Sequence, residues 1–574
     1  MSSTLRGADA RPIPTGTDET GPAAGAAPDA DADGRAEGPG ALALLTAVAL
    51  LAFMLLLPGH PERFVPESFL RLPLELPPLA LALALLKGPA LAVLRAATVA
   101  TLGTLLVLRL LDIGSYIAFD RRFSPLVELH LLGDGWNLAS GVVGRAEAAL
   151  AIAGALGALG LLCAATWWAT GAFARARGAA RRATVGIAGV ALAAGAVGLT
   201  GARLLPERDL DPPAGAGLVP ELVDRARRMA RSIADSRAFA AELEVDPVGA
   251  GDAAPAFAAL AGRDVIVVFV EAYGRSALEL ERFSGSTLEA LDGLETRVRG
   301  AGLHVASGWL TSPIRGGRSW LAQASFASGL TVDDQARFDR LLGSDRRSVN
   351  RLFAAAGWRT SASMPAIVRD WPDGAWYDFD RTLDGRTSGY AGEPFDWVTM
   401  PDQYTLSAFE RQVRRDPSES APVMATIALI STHAPWTPIA EIVPWEDVGD
   451  GSIFDGTRRW GEPTHWTNPE PLRDMYAETV RYTLDVLGRY LETYADDALF
   501  VILGDHQPAA IVDGWGRTSD VPVHVVARDP ELLARLPPDV FRPGAVPDAS
   551  APGLPMGAMR EILATAFEAP PGTR

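Results

Sequence analysis

The stretch "DALFVILGDH" (residues 497–506) decides the reading of this chain. It is a continuous apolar run rich in β-branched and aromatic residues, and it ends on an acid and an imidazole. A run of this length without alternation reads as a strand buried on both faces of a parallel sheet. Two further runs have the same texture. "RDVIVVFVE" (263–271) ends in Glu271, and "APVMATIALISTH" (421–433) ends in Ser-Thr-His. Between the second and third lies "RDMYAETVRYTLDVLGRYLETYA" (473–495), with apolar residues at helical spacing. Strands alternating with helices imply an α/β sheet covered on both faces. In open sheets of that kind ligands bind beyond the carboxyl ends of the strands. Glu271, His433, Asp505 and His506 all fall at or just past such ends. A plain strand end needs only a turn residue, and Asp505 alone would serve. His506 is harder to dismiss, because the 574 residues contain only seven histidines.

The rest of the chain has a different character. Hydrophobic residues make up 48% of the sequence and are concentrated in its first third. Residues 1–38 are mostly Ala, Gly, Pro, Asp, Thr and Ser, a composition that cannot offset chain entropy by burial, so a disordered tail is expected there. "ALALLTAVALLAFMLLLP" (41–58) then runs without a charge for about the length a bilayer core demands. It lies too deep in the chain, and lacks the small-residue cleavage site, for an ordinary signal peptide. Further apolar stretches near 73–93, 95–113, 147–170 and 183–204 bring the expected spans to five. "FARARGAARRAT" (173–184) sets Arg175, Arg177, Arg181 and Arg182 in the loop between the fourth and fifth, which positive-inside bias places in the cytoplasm. The tail is then cytoplasmic and everything after about residue 205 lies outside. No charged residue sits centrally in the clear spans, which weighs against a transporter. The net charge of -17 argues against a nucleic-acid surface. The single cysteine, Cys163, excludes an intrachain disulfide, so the outer domain must be held by its core. The loop at 119–141 mixes aromatics with charges and reads as interfacial, with His130 a packing residue.

A hydroxyl nucleophile is sought in "TSPIRGGRSWLAQASFASGL" (311–330), a Gly-rich turn followed by a helix-like run. Ser319 at such a helix start is most often a simple cap. The same N-terminus gathers backbone N–H groups that would hold a phosphate or sulfate oxyanion, and Arg315 and Arg318 add positive charge beside it.

With these motifs in place, the chain resembles the alkaline-phosphatase superfamily, in its sulfatase-like membrane branch of the lipoteichoic acid synthase type. "VIVVFVEAYG" looks like the first-strand motif whose acid binds the metal, and "GDHQP" like the late Asp-His motif. The resemblance therefore implies Glu271, Asp505 and His506 as ligands of one divalent metal, with Ser319 completing the set. "STHAPW" looks like the Ser-His-x-Pro motif, implying that His433 contacts substrate. Arg369 in "IVRDWPDG" is similarly placed to an Arg that holds the substrate phosphate. Sulfatases carry Cys-x-Pro-x-Arg with a Gly ten residues after the Cys. Ser319 and Gly329 keep that offset without the Pro and Arg, while "TSPIR" offers Thr311 as a rival. Ser319 is preferred because a helix-like run follows it directly. Neither is a cysteine, so no formylglycine can form.

The expected architecture is an N-terminal bundle of about five transmembrane helices (39–205), a juxtamembrane linker (206–255) and an extracytoplasmic sulfatase-like catalytic domain (256–574). Its central sheet is mixed and mostly parallel. The expected function is metal-dependent hydrolysis or transfer of phosphoesters, of the phosphoglycerol type, outside the cytoplasmic membrane through a Ser nucleophile. The substrate would be a lipid-linked or other envelope phosphoester. Mixed carboxylate, imidazole and hydroxyl ligands suit Mn²⁺ first, then Zn²⁺ or Mg²⁺. The alternatives are sulfuric ester hydrolysis, and a catalytically silent envelope-binding protein of the same fold. His304, His465 and His524 are read as structural.

Overall fold

A computed structural model of the chain describes residues 40–128, 136, 144–204, 214–215, 217–248, 254–395, 398–434, 436, 439–456 and 469–568. The tail at 1–38, His130, Pro435 and His465 lie outside the described residues.

Among the described residues, five helices of ten or more residues occupy the first third: α1 Ala41–Leu56, α2 Leu76–Leu85, α3 Gly88–Phe119, α4 Arg145–Arg175 and α5 Gly178–Leu204. Only α3 and α4, among the described residues, are both long and apolar enough to cross a membrane by length and composition; α1 and α2 are shorter apolar helices. The second expected span is cut short at Leu85. Gly88 has a positive φ and Pro89, which has no N–H to donate, stands in the first turn of α3, so a new helix starts there. Helix α4 packs against α1, α2 and α3, and α2 also packs against α5.

The stretch expected as a linker holds a 27-residue helix, α6 Leu218–Glu244. It docks on the end of α3. Arg109 and Asp112 of α3, 4% and 1% exposed, meet Glu221 and Arg225 at 2.7 and 2.6 Å. Arg109 also donates to the Met54 and Leu55 carbonyls at the end of α1. These charges sit at one end of α3, in protein, with their partners on α6.

The remaining residues build an α/β domain on a nine-stranded sheet. In chain order the strands are β1 Val265–Val270, β2 His304–Thr311, β3 Arg359–Met364, β4 Arg381–Asp384, β5 Val423–Leu429, β6 Leu499–Gly504, β7 Asp520–Ala527, β8 Arg542–Pro543 and β9 Leu554–Pro555. They lie in the order β8-β2-β7-β6-β1-β5-β3-β4, with β9 paired to β2. From β6 to β4 every pairing is parallel, while β7 runs antiparallel to both β6 and β2. The sheet is mixed and mostly parallel, as the three apolar runs imply.

Strand β1 is the centre, and the pleat divides its side chains between two cores. Ile266, Val268 and Val270 face one core, beneath α7 Glu281–Gly300 and α9 Pro469–Tyr494. Val265, Val267 and Phe269 face the other, beneath α8 Ser319–Ser328. Every residue of β1 and β6 is buried, so both runs need apolar residues throughout. The register sets Val270 opposite Leu429 on one side and Gly504 on the other. The three strands therefore end level, and the residues just beyond them are neighbours.

Candidate active site

Glu271 follows β1 directly, Asp505 and His506 follow β6, and His433 lies just past β5. The backbone joins them: the Glu271 N–H donates to the Leu429 carbonyl and the Asp505 N–H to that of Val270. Asp505 Oδ1 accepts the N–H groups of Ala272 and His506 at 2.8 and 2.7 Å, which fixes its carboxylate. Ala272 holds a left-handed φ of 53°, a strained conformation of the kind that gathers at functional sites. Gly504 permits the close approach of this turn. A Cβ there would fall 1.8 Å from the Tyr273 carbonyl oxygen.

Ser319 is the first residue of α8, and Arg318, also left-handed with φ 69°, precedes it as the cap. The Ser319 hydroxyl does not cap its helix. It donates to Glu271 Oε2 at 2.8 Å and lies 3.2 Å from His506 Nε2. His506 Nε2 is 3.3 Å from Glu271 Oε1 and 3.7 Å from Asp505 Oδ2. One ligand atom from each of Glu271, Asp505 and His506 lies within 4.8 Å of the others. His506 Nδ1 is bonded to the Gln507 carbonyl at 2.8 Å, so Nε2 is the nitrogen turned toward Ser319. A ring oriented through its far nitrogen is the usual setting of a metal-ligating histidine. Two carboxylates and an imidazole nitrogen gathered in this way, with the Ser319 hydroxyl beside them, are a donor set that could hold a divalent cation.

The electrostatics agree with a cation-seeking cluster. Burial alone would raise the Glu271 carboxyl, but the charge of His506, its hydrogen bond and then His433 hold it well below the usual range. Burial and the Glu271 charge push Asp505 up to about 7. Burial would lower His506, yet Asp505 and Glu271 raise it to about 9. Two crowded carboxylates compete for one positive partner, a conflict that a bound cation relieves.

The rival hydroxyl is elsewhere. Thr311 ends β2 and gives its proton to Asp520 Oδ1 at 2.7 Å. His433 is exposed, with Nδ1 2.6 Å from the Ala434 oxygen. Arg369 stands exposed on the loop after β3, and no contact joins it to Ser319 among the described residues. His524 is buried and bonded to Ser307 and Tyr273, a structural histidine as expected.

The two arginines beside Ser319 differ. Arg315 is committed: it forks onto Asp513 at 2.9 and 3.1 Å and donates to the Thr518 carbonyl. Arg318 lies over the Phe119 ring at 5.4 Å.

Sequence reasoning missed the contribution of α3. Asp120, its C-terminal cap, accepts the Gly516 N–H at 2.9 Å and stands 3.5 Å from Arg315 Nε. Gly316 lies so close to the Ala118 carbonyl that a Cβ would sit 1.8 Å from its oxygen. Gln507 was also missed, although it directly follows the Asp-His pair. Its carbonyl accepts the Gly316 N–H, and its side chain binds Ser276 and the Asp520 carbonyl. One carbonyl thus ties the His506 ring to the turn that carries Ser319.

No protein-family model and no curated protein matches the chain. Solved structures similar to it include the lipoteichoic acid synthase LtaP from Listeria monocytogenes, at 14% identity, covering 55% of this chain and 74% of that one, with a TM-score of 0.35. The C-terminal periplasmic domain of EcEptC from Escherichia coli in complex with Zn is similar at 15% identity over 53% and 83%, with a TM-score of 0.35. The Streptococcus pyogenes phosphoglycerol transferase GacH in complex with sn-glycerol-1-phosphate is similar at 13% identity over 60% and 82%, with a TM-score of 0.34.

Proposed function

We propose that the chain is a membrane-anchored, metal-dependent phosphoester transferase or hydrolase of the alkaline-phosphatase superfamily, working outside the cytoplasmic membrane. The observation that carries this reading is the position of the Ser319 hydroxyl, within hydrogen-bond reach of both Glu271 and His506 and at a helix N-terminus. Glu271, Asp505, His506 and the Ser319 hydroxyl would hold one divalent metal, Mn²⁺ or Zn²⁺ ahead of Mg²⁺. Bound there, the metal would supply Lewis acidity, lowering the hydroxyl's pKa and neutralising charge on the attacked group.

Ser319 is the nucleophile. Its Oγ bonds to phosphorus, the bond to the leaving alcohol breaks, and a phosphoryl or phosphoglycerol-type ester of serine remains. The hydrogen bond to Glu271 orients the hydroxyl, and its proton leaves to solvent. The backbone N–H groups at the start of α8 face developing oxyanion charge. His433, exposed beside the carboxylates, orients the substrate or protonates the leaving alcohol. Arg369 would meet the substrate phosphate from the loop after β3. Water completes hydrolysis; an acceptor hydroxyl completes transfer. A serine in place of cysteine favours phosphoryl over sulfuryl chemistry, because no formylglycine can form. Lipid-linked or other envelope phosphoesters are the substrates this placement favours.

The test is turnover by the purified full-length chain with Mn²⁺, offered a phosphodiester, a phosphomonoester and a sulfate ester. Phosphodiester turnover that stops on metal removal and returns with Mn²⁺ is expected. Glu271→Ala and Asp505→Ala should each weaken metal binding by more than the roughly 10- to 100-fold that loss of a supporting partner costs. Turnover unchanged by either variant would exclude this site.

A further inference from the structure

Arg318 is 8% exposed, and its guanidinium makes no hydrogen bond among the described residues. Its Nε is buried with no partner. The nearest acid is Glu128, at 3.9 Å from Nη1, beyond hydrogen-bond distance. Glu128 is already engaged, since its Oε1 accepts from Arg121 Nη2 and its Oε2 from the Ser124 N–H at 2.7 Å. Arg121 brings a second guanidinium to the same carboxylate, and its Nε too is buried and unpartnered. Asp333 and Asp334 lie farther off and serve Arg337, the first as an ion pair and the second as a helix cap. Two guanidinium groups therefore share one carboxylate. An N–H donor buried without an acceptor is costly, and Nε of each arginine is such a donor. Residue 318 is kept in that condition next to Ser319, on the side where α3 ends at Phe119.

We propose that Arg318 and Arg121 form an oxyanion subsite beside Ser319, built to take a phosphate- or sulfate-type group distinct from the one attacked. The planar fork of arginine matches two oxygens of such a group. The carboxylates at Ser319 face His506 and the Ser319 hydroxyl and not these arginines, which leaves the arginines to hold a second anion. As a binding site this stands on its own; as a subsite of the reaction it rests on the phosphoester reading above. The anion can come from a lipid headgroup, presented where α3 ends, or from a soluble phosphate.

The test uses the full-length chain in detergent with chelator present, so that no metal recruits the anion to Ser319. Binding of inorganic phosphate and of dihexanoylphosphatidylglycerol is followed by calorimetry and by the rise in Tm, at matched ionic strength. Phosphate binding by the wild type identifies a free oxyanion as sufficient, and binding of the short lipid alone identifies a headgroup. In either case Arg318→Gln should weaken the ligand about tenfold or more. Arg318→Lys should fall between, and Ser319→Ala should bind as the wild type does. Arg121→Gln, at a residue one-third exposed, should weaken binding without unfolding the chain and so covers the case in which Arg318→Gln misfolds. In turnover, both variants should raise KM about tenfold with kcat within a factor of about two. The subsite is overturned if neither ligand binds the wild type, or if both arginine variants bind like it. Retained binding in a chain that turns over no ester would leave the subsite standing and remove the catalytic reading.

Discussion

At the scale of single residues, two hydroxyls eight positions apart are separated by what they touch. Ser319→Ala removes the group shared by Glu271 and His506, and kcat should fall by roughly 10⁴ or more. Thr311→Ala removes one bond to Asp520, costs about 1 kcal/mol of stability, and should leave kcat within a factor of about two. Steady-state turnover of a phosphodiester and a thermal melt of each variant check both statements; the opposite pattern would make Thr311 the nucleophile. His524 gives a pH prediction away from the site. Burial holds its pKa down to about 4. The folded protein therefore keeps it neutral while the unfolded chain protonates it near pH 6.5. Its contribution is full above about pH 6.5 and is lost as pH falls toward 4, reaching about 3 kcal/mol. His524→Gln, which keeps a hydrogen-bonding side chain beside Tyr273 and Ser307, should flatten the fall of denaturation midpoint between pH 6.5 and 4. An unchanged slope would assign the acid sensitivity elsewhere. Glu271, Asp505 and His506 were legible because each sits immediately after a run whose strand character is local. The choice between Ser319 and Thr311 was less so, since it turns on which hydroxyl faces β1 and β6 and which faces Asp520. Arg121 and Glu128 were invisible as site neighbours, because nothing near residue 319 announces a segment about two hundred positions earlier.

At the scale of elements, the end of α3 and the turn before α8 form one unit. Asp120 closes α3 and receives the Gly516 N–H, and Arg315 links it to the buried Asp513. Gly316 is required twice, by a φ of 72° and by the Ala118 carbonyl against its Cα. Gly316→Ala should therefore displace the turn and lower kcat at least about tenfold with metal content unchanged. Gly516→Ala is the control: its φ is 68°, but nothing lies within 4 Å of the added Cβ. It should cost only the left-handed strain, about 1–2 kcal/mol. Equal effects of the two on turnover would mean that α3 plays no part in holding the turn. The strands were readable where burial on both faces forces unbroken apolar runs, as in β1, β5 and β6. Helix α6 was not. Only Phe239 of its side chains is buried, and its many charges read as a linker because their partners lie on α3 and on the helix Gln335–Leu342. Helix α2 was overestimated, because hydropathy sums across Lys87 and Pro89 while the backbone breaks there.

At the scale of the whole molecule, the question is on which side of the membrane the α/β domain stands. Helix α2 has 10 residues, about 15 Å, half of a bilayer core of about 30 Å. Were it not a crossing, α1, α3, α4 and α5 would make an even number and return the outer domain to the side of the tail. The contacts at its two ends bear on this. Glu75, just before α2, accepts the Leu218 N–H at the start of α6, beyond α5. At its other end the Ala84 carbonyl accepts from Arg181, in the first turn of α5. One end of α2 therefore meets the start of α6 and the other the first turn of α5, contacts that a crossing with flanking residues making up the length would give. The end of α1 meets Arg109 near the outer end of α3, which agrees with the same alternation. A five-pass arrangement would put the tail and the arginine turn in the cytoplasm, with the end of α3, α6 and the α/β domain outside. Cys163 is the chain's one cysteine, so a Cys163→Ala background permits labelling at single introduced thiols. In intact cells Arg63→Cys and Asp224→Cys should react with a membrane-impermeant maleimide. Lys87→Cys and Arg177→Cys should react only after permeabilisation. Labelling of Lys87→Cys from outside, with Arg177→Cys still protected, would mean that α2 turns back without crossing, and the count of five would fail while the placement of the α/β domain held. Labelling of Arg177→Cys from outside would invert the whole molecule and remove the extracytoplasmic reading with it.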